Sequence, residues 1–130
     1  MTIMEQIPEA LKAFIFASFE TVDQLRILLL LQANPGKVWD AASVSSKLHL
    51  QPDVAQNCLQ ILCQKGFLTL SDGADPQYGY QPANAELEQR VRAVVELDRT
   101  RPVTLIRLIY SRPKEMFQTV ADPSKLQRDG

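Results

Sequence analysis

The chain holds one histidine, His49, and two cysteines, Cys58 and Cys63, among 130 residues. With one histidine a metal site would have to be built mainly from other ligands, and the nearby Asp and Cys residues do not make a ligand spacing. The cysteines lie five apart on one expected helix, roughly 140° apart around its axis, so they cannot bridge each other. They read as packing residues in a reducing, cytoplasmic setting. No apolar run is long enough for a bilayer, because Ile27–Leu31 falls far short of the roughly 20 residues a span needs. Glu5, Glu9 and Lys12 interrupt the start of the chain where a signal peptide would carry its apolar core. Charge of one sign is lacking too: the formal net charge is −1, so no global basic field advertises a nucleic acid or a membrane. Nucleophile elbow, phosphate-binding glycine loop and base-orienter constellation around His49 are all missing, so the expectation is a non-enzyme without metal or cofactor.

The charge that is present is uneven. Residues 1–51 hold four Lys/Arg against five Asp/Glu, and residues 83–130 hold nine against seven. Between them, residues 52–82 have only Lys65 against Asp53, Asp72 and Asp75. The middle of the chain is therefore its acidic part.

Apolar spacing organises the chain mainly into helices. Ile7, Leu11, Phe14 and Ile15 recur at helical spacing over residues 6–18, with Pro8 in the first turn. Thr21 can cap a second helix that is apolar over most of its circumference from Val22 to Leu31, and Asn34-Pro35-Gly36 ends it. Val38-Trp39 is a short extended candidate. Asp40 can cap a helix at Ala41–Leu48, and His49-Leu50-Gln51 makes a tight turn. Pro52 opens the next helix where its missing N–H costs nothing, and Lys65-Gly66 closes it. Phe67–Leu70 and Tyr78–Gln81 read as strands around the turn SDGADPQ. Asn84 can cap a longer helix with the stripe Leu87, Val91, Val94 and Val95. Pro102 interrupts that helix or starts another. Residues 114–121 can add a turn or two of helix, and residues 122–130 read as a flexible tail.

Residues 38–70, VWDAASVSSKLHLQPDVAQNCLQILCQKGFLTL, resemble the winged helix-turn-helix of the MarR and ArsR superfamily of bacterial regulators. Ala41, Ala42 and Val44 sit where that family packs its first motif helix. Leu48-His49-Leu50 stands where the family has Leu-Gly-Leu. Pro52 and Val54 begin the recognition helix, Leu59 and Leu62 anchor it, and Gly66-Phe67-Leu68 matches the family's entry into the wing. The chain departs at His49, which replaces a small turn residue but tolerates a left-handed conformation better than branched residues do. It departs again at Gln51, a poorer N-cap than Ser or Thr. The family's cysteine-rich metal motif and the basic decoration of its wing are missing.

The resemblance implies a mainly α fold with a small β-hairpin wing, a winged helix-turn-helix with extra N- and C-terminal helices. Residues 1–83 would form the winged domain, with the motif at 40–65 and the wing at 67–81. Residues 84–121 would form a C-terminal helical segment used for dimerisation. It also implies a regulator that binds double-stranded DNA as a homodimer in the cytoplasm. At 100° per residue, Val54, Cys58, Leu59, Ile61 and Leu62 of the recognition helix face inward. Asp53, Gln56, Asn57, Gln60 and Gln64 face outward. Gln and Asn can pair bidentately with the major-groove edge of adenine, and Asp can accept from a cytosine amine. The same residues would serve equally as a solvated helix face, and Asp53 suits the positive end of its own helix. Lys47 and Lys65 are the candidate phosphate contacts, with Lys37 nearby. So few cations make dimerisation necessary for useful affinity, since phosphate neutralisation dominates non-specific binding. Phe14, Phe16 and Phe19, with Ile106, Ile109, Tyr110, Met116 and Phe117, supply apolar faces for a dimer, or else fold back on their own core. Arg90, Arg92, Arg99 and Arg101 alternate with acids and read as paired surface charge. The acidic wing motivates the alternative of a winged-helix module that binds a protein partner.

Overall fold

A computed structural model describes residues 7–71 and 73–111. In chain order the elements are α1 (Glu9–Ser18), α2 (Val22–Gln32), β1 (Val38–Trp39), α3 (Ala41–Leu48), α4 (Pro52–Gln64), β2 (Leu68–Ser71), β3 (Gln77–Tyr80), α5 (Ala85–Thr100) and α6 (Pro102–Tyr110). The fold is mainly helical with one small sheet, as the spacing predicts. The additional helix expected at 114–121, the tail at 122–130 and the acid Asp72 lie outside the described residues.

Local chemistry sets most of the boundaries. Thr21 accepts from the Gln24 N–H at 3.2 Å, and Asn84 from the Leu87 N–H at 2.8 Å, so α2 and α5 start on side-chain caps. Asp40 makes a capping box with Ser43: its carboxylate accepts from the Ser43 N–H at 2.8 Å, while Ser43 Oγ accepts from the Asp40 N–H at 3.2 Å. These Ser43 hydrogen bonds hold the Asp40 carboxyl below its ordinary range, because they favour its charged form. Gln51 makes no side-chain cap on α4, which starts instead on Pro52.

His49 ends α3 at φ 59°, ψ 49°, the left-handed conformation expected of it. A side chain there is strained relative to glycine by about 1 kcal/mol. His49→Gly is therefore expected to raise the unfolding free energy by about 0.5–1 kcal/mol, the flexibility of glycine in the unfolded chain offsetting part of the gain. Urea denaturation followed by far-ultraviolet circular dichroism checks it, and a destabilised variant would mean that the imidazole makes a contact worth more than the strain.

α4 closes with a Schellman motif. The Phe67 N–H donates to the Leu62 carbonyl and the Gly66 N–H to the Cys63 carbonyl, both at 3.1 Å, with Gly66 at φ 92°. This spends the Phe67 N–H on the helix, so β2 starts one residue later than the Phe67 predicted from sequence. β3 is likewise displaced by one residue, to Gln77–Tyr80.

The sheet is antiparallel in the order β1-β3-β2. The hairpin read from sequence thus gains a third strand, for Val38 pairs with Gly79 and Trp39 with Tyr78. Strand alternation puts Trp39, Tyr78, Tyr80, Leu68 and Leu70 on one face, and all but Leu70 are buried or half-buried there.

One hydrophobic cluster runs through the molecule. α2 lies at its centre, with Leu25, Ile27, Leu28 and Leu31 all at 0–1% exposure. The inner face of α3 is Ala41 and Val44, while Ala42 is exposed, contrary to its expected packing role, because it lies about 100° round the helix from Ala41. Ile15 of α1 and Phe19 just after it point fully inward, and Leu105 and Ile109 of α6 join the same cluster. The flanking helices therefore fold back on their own core with much of the apolar surface that the sequence offers for a dimer. Ile106 and Tyr110 stay exposed, whereas Met116 and Phe117 lie outside the described residues.

Candidate nucleic-acid interface

α4 packs against α2, α3 and the strand β2. Its buried residues are Ala55, Cys58, Leu59 and Leu62. Val54 and Ile61, also expected inward, are only half-buried. Ala55 takes the inner position that sequence reasoning left unassigned, since so small a side chain carries little periodic signal. Burial, and then the negative charge of Asp23, push the Cys58 thiol up to about 11. Cys58 is thus a neutral packing group at physiological pH.

Asp53, Asn57, Gln60 and Gln64 all project into solvent on the outer side of α4. They are one residue short of the expected stripe. Gln56 is half-buried and its Nε2 donates to the Tyr78 hydroxyl at 3.3 Å, across to strand β3. Asp53 turns its carboxylate onto the first turn of its own helix, accepting from the Val54 N–H at 2.9 Å.

The cations are disposed less uniformly. Lys47 is exposed in the last turn of α3, close in sequence to the start of α4. Lys37 is exposed beside the sheet with its ammonium 4.2 Å from the centre of the Trp39 ring. Lys65 is engaged elsewhere: its Nζ donates to the Ser18 carbonyl at 2.7 Å and the Ala17 carbonyl at 3.3 Å. A lysine at the carbonyl end of α1 satisfies acceptors that the helix itself leaves open. A phosphate would have to draw Lys65 away from them. This partner is 47 residues away in sequence, which is why no local pattern discloses it.

Among the described residues of the C-terminal part, three arginines of α5 are paired in place. Arg90 pairs with Glu86 at 3.1 Å, Arg92 with Glu88 at 2.9 Å, and Arg99 with Glu96. These are the surface pairs that the alternating charges of α5 predict. The Glu96 carboxyl is lowered and the Arg99 guanidinium raised by their mutual hydrogen bond. Among the described residues no group of three His, Cys, Asp or Glu side chains could hold a metal ion, and no helix is long and apolar enough to cross a membrane.

Solved structures share this arrangement. A mutant of ZitR from Lactococcus lactis superposes with a TM-score of 0.51 at 15% identity, over 78% of this chain and 68% of that one. The reduced form of HlyU from Vibrio cholerae N16961 gives 0.50 at 18%, over 78% of this chain and 98% of that one. RV1404 from Mycobacterium tuberculosis gives 0.50 at 18%, over 93% and 74%. The fold is a winged helix. No protein-family model matches the chain, and no curated protein does either. Where the sequence predicts a helix, a hairpin and a tight turn, the structure has α4, β2–β3 and the left-handed His49.

Proposed function

We propose that this winged helix is a DNA-binding transcriptional regulator that acts as a homodimer. The observation that carries the reading is the exposed, uncharged amide row Asn57, Gln60 and Gln64 on α4, flanked by Lys47. Amide side chains on the outer face of a helix of this kind can pair with base edges in the major groove. The wing flanks the same helix, and Lys37 stands at its base.

Dimerisation rests on α6. Val103, Ile106 and Tyr110, at 61%, 37% and 78% exposure, recur at i, i+3 and i+7 and so share one face. Two copies joined there would present two α4 helices to successive major grooves. Residues 1–83 would then be the reading domain and residues 84–121 the dimerising segment.

Lys37 and Lys47 from each of two protomers would neutralise about four phosphates, which gives a log–log dependence of the association constant on salt of about −3.6. Titration of the purified protein against genomic DNA fragments at low and moderate salt measures that slope. A folded dimer that binds no fragment even at low ionic strength would remove the proposal.

One observation favours a second reading. With Lys65 tied to α1 and with Asp53 and Asp75 exposed near the reading surface, the local positive charge is small. A module of this shape would suit a protein partner, with the amide row as the contact. Affinity capture would then return a stable partner that is lost on alanine substitution of Gln60, and DNA binding would be absent.

A further inference from the structure

Gln56 differs from the other outward amides of α4 in being held before any ligand arrives. Its neighbours Asn57 and Gln60 are exposed, whereas Gln56 is half-buried and reaches across 22 residues of sequence to the phenol of Tyr78. The Tyr78 ring is 2% exposed and sits in the sheet between Trp39 and Leu70, its paired residues on either side. The phenol oxygen is therefore fixed by the core and by two strand ladders. Two elements meet in this one hydrogen bond, the wing strand β3 and the second turn of α4, and β1 braces β3 from its other edge.

The chemistry of the amide gives the contact its meaning. A glutamine side chain has two N–H donors and one carbonyl acceptor. The Tyr78 oxygen takes one N–H. The second N–H and Oε1 remain, and these are the donor and acceptor that the N7 and N6 amine of an adenine require. A long exposed side chain loses rotamer freedom when it binds. Gln56 has lost much of its freedom on folding, so the loss is not charged again to the complex.

We infer that Tyr78 is a positioning residue for base recognition: its phenol holds the Gln56 amide in place, so that the wing contributes to sequence readout through a residue that touches no base. This rests on the DNA-binding reading of α4. It also gives the wing a part that its acidic turn denies it in phosphate binding.

Tyr78→Phe tests the inference because it keeps the ring and removes only the hydroxyl. The probe is the genomic fragment retained by the wild-type dimer, together with its single-base-pair variants. Gln56→Ala first marks the base pair that Gln56 reads. Tyr78→Phe is expected to reduce the preference at that same pair about fivefold, with the salt slope unchanged and no further loss in the double variant. Preference retained at that pair in Tyr78→Phe would overturn the inference and leave the DNA-binding reading standing. A second measurement needs no DNA. In the free wild-type protein, side-chain nitrogen relaxation should show the Gln56 amide more ordered than that of Gln60, with the difference lost in Tyr78→Phe. If the two amides are equally mobile in the wild type, the tether does not exist and the inference falls, whatever the DNA titration shows. Absence of any DNA binding by the wild type, with an ordered Gln56, would remove the base-reading role together with the parent reading.

Discussion

Phe67→Ala is expected to lower the free energy of unfolding by about 3–5 kcal/mol, the largest effect of any single substitution considered for this chain. Phe67 is 1% exposed. Its ring stacks on Phe19 at 6.0 Å between centroids, with an interplanar angle of 13°, and meets Phe14 edge-on at 6.1 Å and 78°. Aromatic pairs in such arrangements add about 0.5–1.5 kcal/mol beyond the area they bury. Position makes the loss worse. Phe67 closes the Schellman motif of α4 through its N–H, accepts from the Gln81 N–H at 3.1 Å through its carbonyl, and packs its side chain on α1. A cavity there opens where helix, wing and N-terminal helix join, and none of the three can collapse alone. Urea denaturation monitored by circular dichroism gives the number. A loss below about 1 kcal/mol would show that the three rings do not act as one packed unit.

On the DNA-binding reading proposed above, joint replacement of Asn57 and Gln60 by alanine should remove most of the sequence preference with little effect on folding. Each good bidentate amide–base pair discriminates by about 1–3 kcal/mol, so the two together correspond to about 2–6 kcal/mol of specific binding. Both side chains are exposed, and substitution at such positions changes stability by about 0.5 kcal/mol or less. Competition between a bound genomic fragment and random-sequence DNA separates the two contributions: the specific advantage should fall to what Gln56 and Gln64 supply while the salt-dependent, non-specific affinity from Lys37 and Lys47 persists. A double variant with its full preference intact would move base readout off Asn57 and Gln60.

The sequence was most legible where the structure depends on neighbours. The caps at Thr21, Asp40 and Asn84, the helix starts at Pro52 and Pro102, and the left-handed His49 are all settled within four residues, and each stands where the chain announces it. Apolar periodicity placed α2 at the centre of the core for the same reason. What could not be read depends on distant partners. The Gln56–Tyr78 hydrogen bond, the grip of Lys65 on α1 and the pairing of β1 with β3 each join residues at least 22 positions apart. A polar residue on the outer side of a helix looks the same in sequence whether it faces solvent or a tyrosine. The phenylalanines of α1 illustrate the remaining ambiguity. Periodicity shows that Phe14 and Phe19 need burial, but only the fold decides that Phe67 of the same chain supplies much of it.

The pairing of Trp39 with Tyr78 has a consequence for biosynthesis. Trp39 leaves the ribosome well before its partner strand has been made. At about 5–20 residues per second the delay is about 2–8 seconds, far longer than a helix or a hairpin takes to form. In the later part of that interval α3 and α4 emerge and can join α2, but the indole that ends 5% exposed has no β3 to pair with. The sheet therefore closes only when β3 arrives, and a nascent chain halted in the turn before β3 leaves Trp39 without its partner strand.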